Sequence, residues 1–294
     1  MSSESSLRAD IVEVGRRMYA RGYTASNDGN ISVRLGADRL LMTPKSVCKG
    51  FMTPDMMCIT DLDGRKLQGD RDPSSEMLMH LEVYRQRPDV QAVVHAHPPT
   101  ATGFAVAGIP LDRAVLAEVL TTLGSIPIAE YATPSTRELP EAVRKYIKAH
   151  DGMLLANHGA LTVGGDLYSA YFKMETIEHF AKISLVARLL GRENLLSREE
   201  VMRLQELRGA YGIKAPAPIC ADDSEEEADA SCQTVQAPSG HGARLVPDSQ
   251  PSLVQKLSAS DGETPPDASP EGGEIRLTYR ELSALIEDAV RNLR

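Results

Sequence analysis

The sequence predicts an α/β fold in which a central mixed sheet is covered by helices on both faces. Three observations predict it. Short β-branched runs alternate with longer segments whose apolar residues recur every three or four positions, the periods of strands and helices. Some neighbouring strand runs are separated only by turn residues, too few for the crossover a parallel pair requires, so the sheet is not purely parallel. With 294 residues, 42% of them hydrophobic, the chain can bury a large core, and no apolar run is long enough to span a bilayer.

Leu7, Ile11, Val14 and Met18 recur at helical spacing and predict a helix from Ser6 to Arg21, stopped by Gly22. A turn cluster, Thr24 to Asn30, leads into an alternating strand, Ile31 to Leu35. Strands follow at Leu40–Thr43 and Met56–Asp61, each closed by a turn. Ser74-Ser75-Glu76 is expected to open a helix reaching about Arg87, with hydroxyls at the N-cap and Glu76 in the first turn. Gln91 to Val94 is a buried strand that Pro98 and Pro99 prevent from continuing beyond His95-Ala96-His97. Short helices are expected at Thr100–Ala107 and Arg113–Leu123, a strand at Ile126–Ile128 and a helix at Arg137–Ala149. Met153–Ala156 and Leu161–Val163 are strand runs interrupted by Asn157-His158-Gly159. Two helices close the domain: Asp166–Leu190, capped by Asp166, and Ser197–Tyr211.

The sequence divides into three parts: a catalytic domain, 1–214; an acidic Pro/Ser/Gly-rich linker, 215–274, expected to be disordered; and an amphipathic helix, 275–294. Asp222 to Glu274 holds 12 acidic residues against Arg244 and Lys256, a net of −10. Taking that from the total of −9 leaves +1, so the domain itself is balanced and offers no nucleic-acid surface. Thr278-Tyr-Arg-Glu281 has the form of a capping box, and Leu282, Leu285, Ile286, Ala289, Val290 and Leu293 form one apolar stripe. The polar N-terminus lacks a signal-peptide pattern, and Cys48, Cys58, Cys220 and Cys232 show no paired spacing. Both fit a reducing cytosol, with no membrane partner.

His95 and His97, at i and i+2 of one strand, point to the same side and can offer two nitrogens to one divalent ion. The bland alternative is a pair of half-exposed histidines at a strand end. His158 is a third candidate, with Gly159 permitting a sharp turn or a close backbone approach beside it. Glu76 can supply a carboxylate, against the alternative of a helix-capping glutamate. Three histidines and a carboxylate that can leave make a tetrahedral Zn²⁺ set with an open position. Gly29-Asn30, Lys45-Ser46 and Ser74-Ser75 lie at turns or helix starts, where free backbone N–H groups can face an oxyanion. Glu175 and His179, at i and i+4, read as a solvated ion pair rather than a second metal site, and His80 as a support behind the first site's ligands or as packing.

Gly29-Asn30-Ile31-Ser32, Thr43-Pro44, Ser74-Ser75-Glu76, His95-Ala96-His97-Pro98, Tyr131-Ala132-Thr133 with Thr136-Arg137-Glu138-Leu139, and Asn157-His158-Gly159 occur in the order of the class II aldolase/adducin family. The resemblance covers roughly Leu7 to Gly212 and is strongest to fuculose-1-phosphate-type aldolases. It implies a three-layer α/β/α fold and a homotetramer with active sites at subunit interfaces. It also implies one Zn²⁺, or another divalent ion, per subunit on His95, His97, His158 and Glu76. Glu76 would double as acid/base, and Gly29, Asn30, Lys45, Ser46, Ser74 and Ser75 would hold the phosphate. Tyr211 would reach a neighbouring site. Aldolases of this type carry a further tyrosine in the stretch Arg113–Val119, where this chain offers only Glu118. Their phosphate turn usually has a hydroxyl residue and glycine in place of Lys45-Ser46. The expected reaction is cleavage of a 6-deoxyketose 1-phosphate to dihydroxyacetone phosphate and lactaldehyde. A pentulose-phosphate 4-epimerase, a sugar-acid-phosphate decarboxylase, a methylthioribulose-phosphate dehydratase and a non-catalytic adducin-like module stand as rivals. The C-terminal helix resembles the encapsulation peptides of bacterial microcompartments, which implies shell proteins as partners and the microcompartment lumen as location.

Overall fold

The computed structural model describes residues 3–211 together with 213, 219 and 232. Apart from those isolated positions, the acidic linker and the helix expected at 275–294 lie outside the described residues.

Eight strands form one sheet: β1 (Asn30–Leu35), β2 (Arg39–Met42), β3 (Cys58–Asp61), β4 (Lys66–Gln68), β5 (Ala92–Ala96), β6 (Ile128–Ala129), β7 (Gly152–Leu155) and β8 (Gly159–Gly164). Their spatial order is β4-β3-β2-β1-β5-β8-β7-β6. Every neighbouring pair is antiparallel except β6–β7. The sheet is therefore mixed, as the turn-linked strand runs predict.

Among the described residues seven α-helices cover it: α1 (Glu4–Ala20), α2 (Met77–Gln86), α3 (Pro99–Ala107), α4 (Ala117–Thr122), α5 (Glu138–Ile147), α6 (Leu167–Leu189) and α7 (Arg198–Ala210). Alternation along the central strands builds two cores. Ala92, Val94 and Ala96 of β5 and Leu154 of β7 face Val14, Phe104, Tyr171 and Ile177 of α1, α3 and α6. Val93, Met153, Leu155 and Leu161 face Val83, Tyr84, Leu139 and Val143 of α2 and α5. Among the described residues no helix is long and apolar enough to cross a membrane.

Four departures from the sequence reading have local causes. Helix α2 begins at Met77, with Glu76 as its N-cap and no side-chain capping bond, so Glu76 precedes the first turn rather than lying in it. Residues 54–56 form a 3₁₀ turn that delays β3 to Cys58, because Pro54 holds the turn conformation. Strand β4 is exposed along its length and so lacks an apolar period. Glu175 pairs with Arg21 at 2.9 Å, not with His179. Asp166 and Ser197 do cap α6 and α7, each through a complete capping box. Cys48 and Cys58 are free thiols, whereas Cys232 is disulfide-bonded, which the cysteine spacing does not announce.

Candidate metal centre and active-site cleft

Strand β5 lies between β1 and β8. His95, its penultimate residue, is fully buried. His97 follows the strand, and its backbone N–H donates to the Tyr23 carbonyl at 2.8 Å. His158 sits in the turn joining β7 to β8, where Asn157 takes a left-handed φ of 56°. The adjacent Gly159 is needed for close approach: a Cβ there would lie 2.5 Å from Ala96 O and 2.6 Å from His97 Cδ2. Removing one methyl group is thus what lets the two histidine-bearing segments touch.

These segments bring His95, His97 and His158 together, with their nearest ligand atoms all within 4.8 Å of one another. Glu76 reaches in from the start of α2, with Oε2 3.2 Å from His95 Nε2 and Oε1 3.1 Å from His158 Nε2. Second partners set the imidazole protons. His95 Nδ1 lies 2.9 Å from the Ala160 carbonyl and His97 Nδ1 lies 3.4 Å from the Asp28 carboxylate; both oxygens only accept, so each Nδ1 carries the proton. The Nε2 atoms of His95 and His97 then present lone pairs to each other across 3.1 Å. Two facing lone pairs repel unless a cation lies between them. Glu76 Oε1 is buried against His158 Nε2, a further electron pair directed at the same point. The donor set, three nitrogens and one carboxylate, fits a divalent ion of the zinc type.

When only protons balance the site, the charges are unequal. Burial pushes the Glu76 carboxyl up, but the His95 charge and hydrogen bonds from His158 and His95 outweigh it and hold the carboxyl far below its usual range. Burial pushes His95 down, and the Glu76 charge more than restores it, leaving it raised. His97 is driven down to about 4 by burial and by the charges of His95 and His158.

Behind Glu76 runs a chain of buried polar groups. Asn30 Nδ2 donates to Glu76 Oε2 at 2.8 Å, and Asn30 Oδ1 accepts from His80 Nε2. His80 Nδ1 must then accept, and the Ser32 hydroxyl, 2.7 Å away, supplies its proton. Tyr84 closes the chain at Ser32, 2.9 Å from the hydroxyl. Complete burial drives His80 down to about 3, so it is neutral. The chain anchors one Glu76 oxygen and leaves the other for chemistry. Of the two roles expected of His80, support behind the candidate ligands or packing, this is the first.

Glu76, His97 and His158 open onto a cleft of ≈ 280 Å³. All six residues expected to hold phosphate line it: Gly29, Asn30, Lys45, Ser46, Ser74 and Ser75. Gly29 has a φ of 72°, and a Cβ would meet His95 O at 2.8 Å, so glycine is required there. Ser46 has a φ of 59°, the conformation glycine favours. The Asn30 side chain is committed to Glu76 and His80, which restricts it to a supporting role in any phosphate contact. The lining also includes Asn27, Asp28 and Lys49, which sequence reasoning missed; Asn27-Asp28 within the turn cluster was the available signal. Glu118 and Tyr211 do not line the cleft. Glu118 lies exposed in the first turn of α4, and Tyr211 is the 69% exposed C-cap of α7.

Residues 9–185 match the class II aldolase and adducin N-terminal domain, a span of more than half the chain. The chain belongs to the class II aldolase/adducin family. Among family members, it is 32% identical over 190 residues to 3-oxo-tetronate 4-phosphate decarboxylase of Pectobacterium atrosepticum, covering 63% of this chain and 87% of that protein. It is 33% identical over 206 residues to 5-deoxy-D-ribulose 1-phosphate aldolase of Bacillus thuringiensis, covering 70% and 96%. A solved L-fuculose 1-phosphate aldolase superposes with a TM-score of 0.66 at 31% identity, covering 70% of this chain and 97% of that one. The mixed sheet flanked by helices is thus the family's fold, and the family's aldolases are lyases.

Proposed function

We propose that the protein is a divalent-metal-dependent aldolase that cleaves a 6-deoxyketose 1-phosphate of the fuculose or rhamnulose type to dihydroxyacetone phosphate and lactaldehyde. The observation that carries the reading is the cleft itself, where the histidine cluster and Glu76 adjoin Lys45, Ser46, Ser74 and Ser75. That arrangement suits a substrate with a phosphate at one end and a carbonyl beside it. The relatives named for 5-deoxy-D-ribulose 1-phosphate and L-fuculose 1-phosphate share this substrate form.

When bound, the ion supplies Lewis acidity at the ketone oxygen. Breaking C3–C4 sends its electron pair toward C2, takes a proton from the C4 hydroxyl and requires a proton at C3. Glu76 takes that hydroxyl proton at Oε1 and returns it to C3, while Asn30 holds Oε2 and keeps the carboxylate aimed. Tyr211 of a neighbouring subunit in a homotetramer serves the aldehyde end, with Glu118 standing where a further tyrosine is found in aldolases of this type. The 275–294 segment, following the acidic stretch, addresses the enzyme to a microcompartment shell that retains the aldehyde.

A second reading is decarboxylation of a 3-oxo sugar-acid 4-phosphate, the activity named for the Pectobacterium relative. The lack of a tyrosine from Arg113 to Val119 favours it, since decarboxylation releases no aldehyde and has no C4 hydroxyl proton to manage. One panel separates the two. Metal-loaded protein is given deoxyketose 1-phosphates and 3-oxo-tetronate 4-phosphate, and aldehyde and carbon dioxide are measured. Aldehyde release from a deoxyketose phosphate supports the first reading; carbon dioxide release alone replaces it with the second.

A further inference from the structure

Lys49 follows the Lys45-Ser46 turn and is only 2% exposed, yet it lines the cleft. Its Nζ donates to the Asn27 carbonyl at 3.0 Å and the Val47 carbonyl at 2.7 Å. Those carbonyls belong to the two loops that carry Gly29 and Ser46. A lysine ammonium has three protons, and two carbonyls take two of them. No carboxylate of the described residues lies within ion-pair distance of it. A cation buried without a counterion is costly, and an anionic ligand in the cleft would supply the missing charge.

We propose that Lys49 determines specificity at this cleft: it ties the two loops together and supplies the buried positive charge that a substrate phosphate dianion neutralises. This rests on the reading of the cleft as a sugar-phosphate site. Burial holds the Lys49 pKa down to about 8, against weaker support from Cys48, Asp28 and Glu76, as expected of a cation whose partner is the ligand. Lys45, by contrast, is exposed at the mouth, where water screens its charge. The two lysines therefore divide the work: Lys45 attracts an anion from solution, and Lys49 discriminates in favour of a doubly charged one.

The test uses inorganic phosphate as probe on the metal-loaded full chain, with affinity read from thermal stabilisation across a phosphate titration at pH 7.5. Lys49→Met and Lys49→Gln are compared with the parent, Lys49→Arg serves as the charge-retaining control, and metal content is measured for each. The expected result is a loss of phosphate affinity of about tenfold or more in the Met and Gln variants. The Arg variant recovers part of it, and metal content is unchanged. Two variants of different polarity keep the test alive if one does not fold. A parent that binds phosphate, with folded Met or Gln variants binding within twofold of it, overturns the role of Lys49. A parent that does not bind phosphate overturns the sugar-phosphate reading, and the role of Lys49 falls with it.

Discussion

Two oxygens of one carboxylate have different surroundings, and that difference governs the site. Asn30 donates to Glu76 Oε2, whereas Oε1 faces the histidine cluster, 3.1 Å from His158 Nε2. Asn30→Asp would set an acceptor against an acceptor, so turnover should fall by roughly 10² or more while the fold persists. Steady-state kinetics at saturating metal check this, and kcat within a few fold of the parent would separate Asn30 from the mechanism. His80 has a pH signature. Its folded pKa, about 3, lies below the ordinary 6.5, so between those values the unfolded chain binds more protons than the folded one. Stability should therefore rise with pH through that window and be lost as pH falls through it. His80→Gln keeps a side-chain donor and should flatten the rise by up to ~1.4 kcal/mol per pH unit. Urea unfolding between pH 4 and 7 reads the slope, and an unchanged slope would contradict a neutral buried His80. The pairing of His95 with His97 was legible in the sequence because i, i+2 alternation is a local rule that needs no knowledge of the rest of the chain. The chain of groups behind Glu76 was not, because Asn30, Ser32, His80 and Tyr84 meet only when α2 packs on β1.

At the scale of elements, the site depends on how closely three segments approach. The β7–β8 pair is an antiparallel hairpin whose turn presents His158, and Gly159 lets that turn lie against Ala96 and His97. Gly159→Ala should displace His158 and weaken metal binding by roughly 10–100-fold, with secondary structure retained. Chelator competition measures that affinity; parent-like binding would show the contact to be dispensable. The glycine was readable as a turn or a close approach, and the structure selects the approach, leaving the left-handed turn to Asn157. Element boundaries were least legible where local chemistry was ambiguous. Ser74 and Ser75 look like helix caps, yet the Ser74 hydroxyl accepts from the Glu76 N–H within a turn, and the helix starts two residues later than the hydroxyl signal suggests. Strand β4 carried no period to read, because it lies exposed at the edge of the sheet.

For the whole molecule, the mixed sheet followed from turn-linked strand runs, whereas the convergence of 76, 95, 97 and 158 on one point is a property of strand order that local patterns do not encode. The acidic tether and terminal helix were read from composition and periodicity, and their role is tested by removal. Deleting residues 275–294 should leave kcat intact and abolish co-purification with shell proteins; a truncated enzyme that still enters the shell would refute targeting by the tail. The central claim is that His95, His97, His158 and Glu76 hold a divalent ion on which turnover depends. Elemental analysis of the purified protein beside His158→Ala, each assayed before and after metal reconstitution, tests it most directly. The account predicts close to one divalent ion per chain in the parent, and loss of both ion and turnover in the variant, without recovery on reconstitution. An active parent free of divalent metal, or a His158→Ala protein that keeps a full complement of ion and activity, would contradict it.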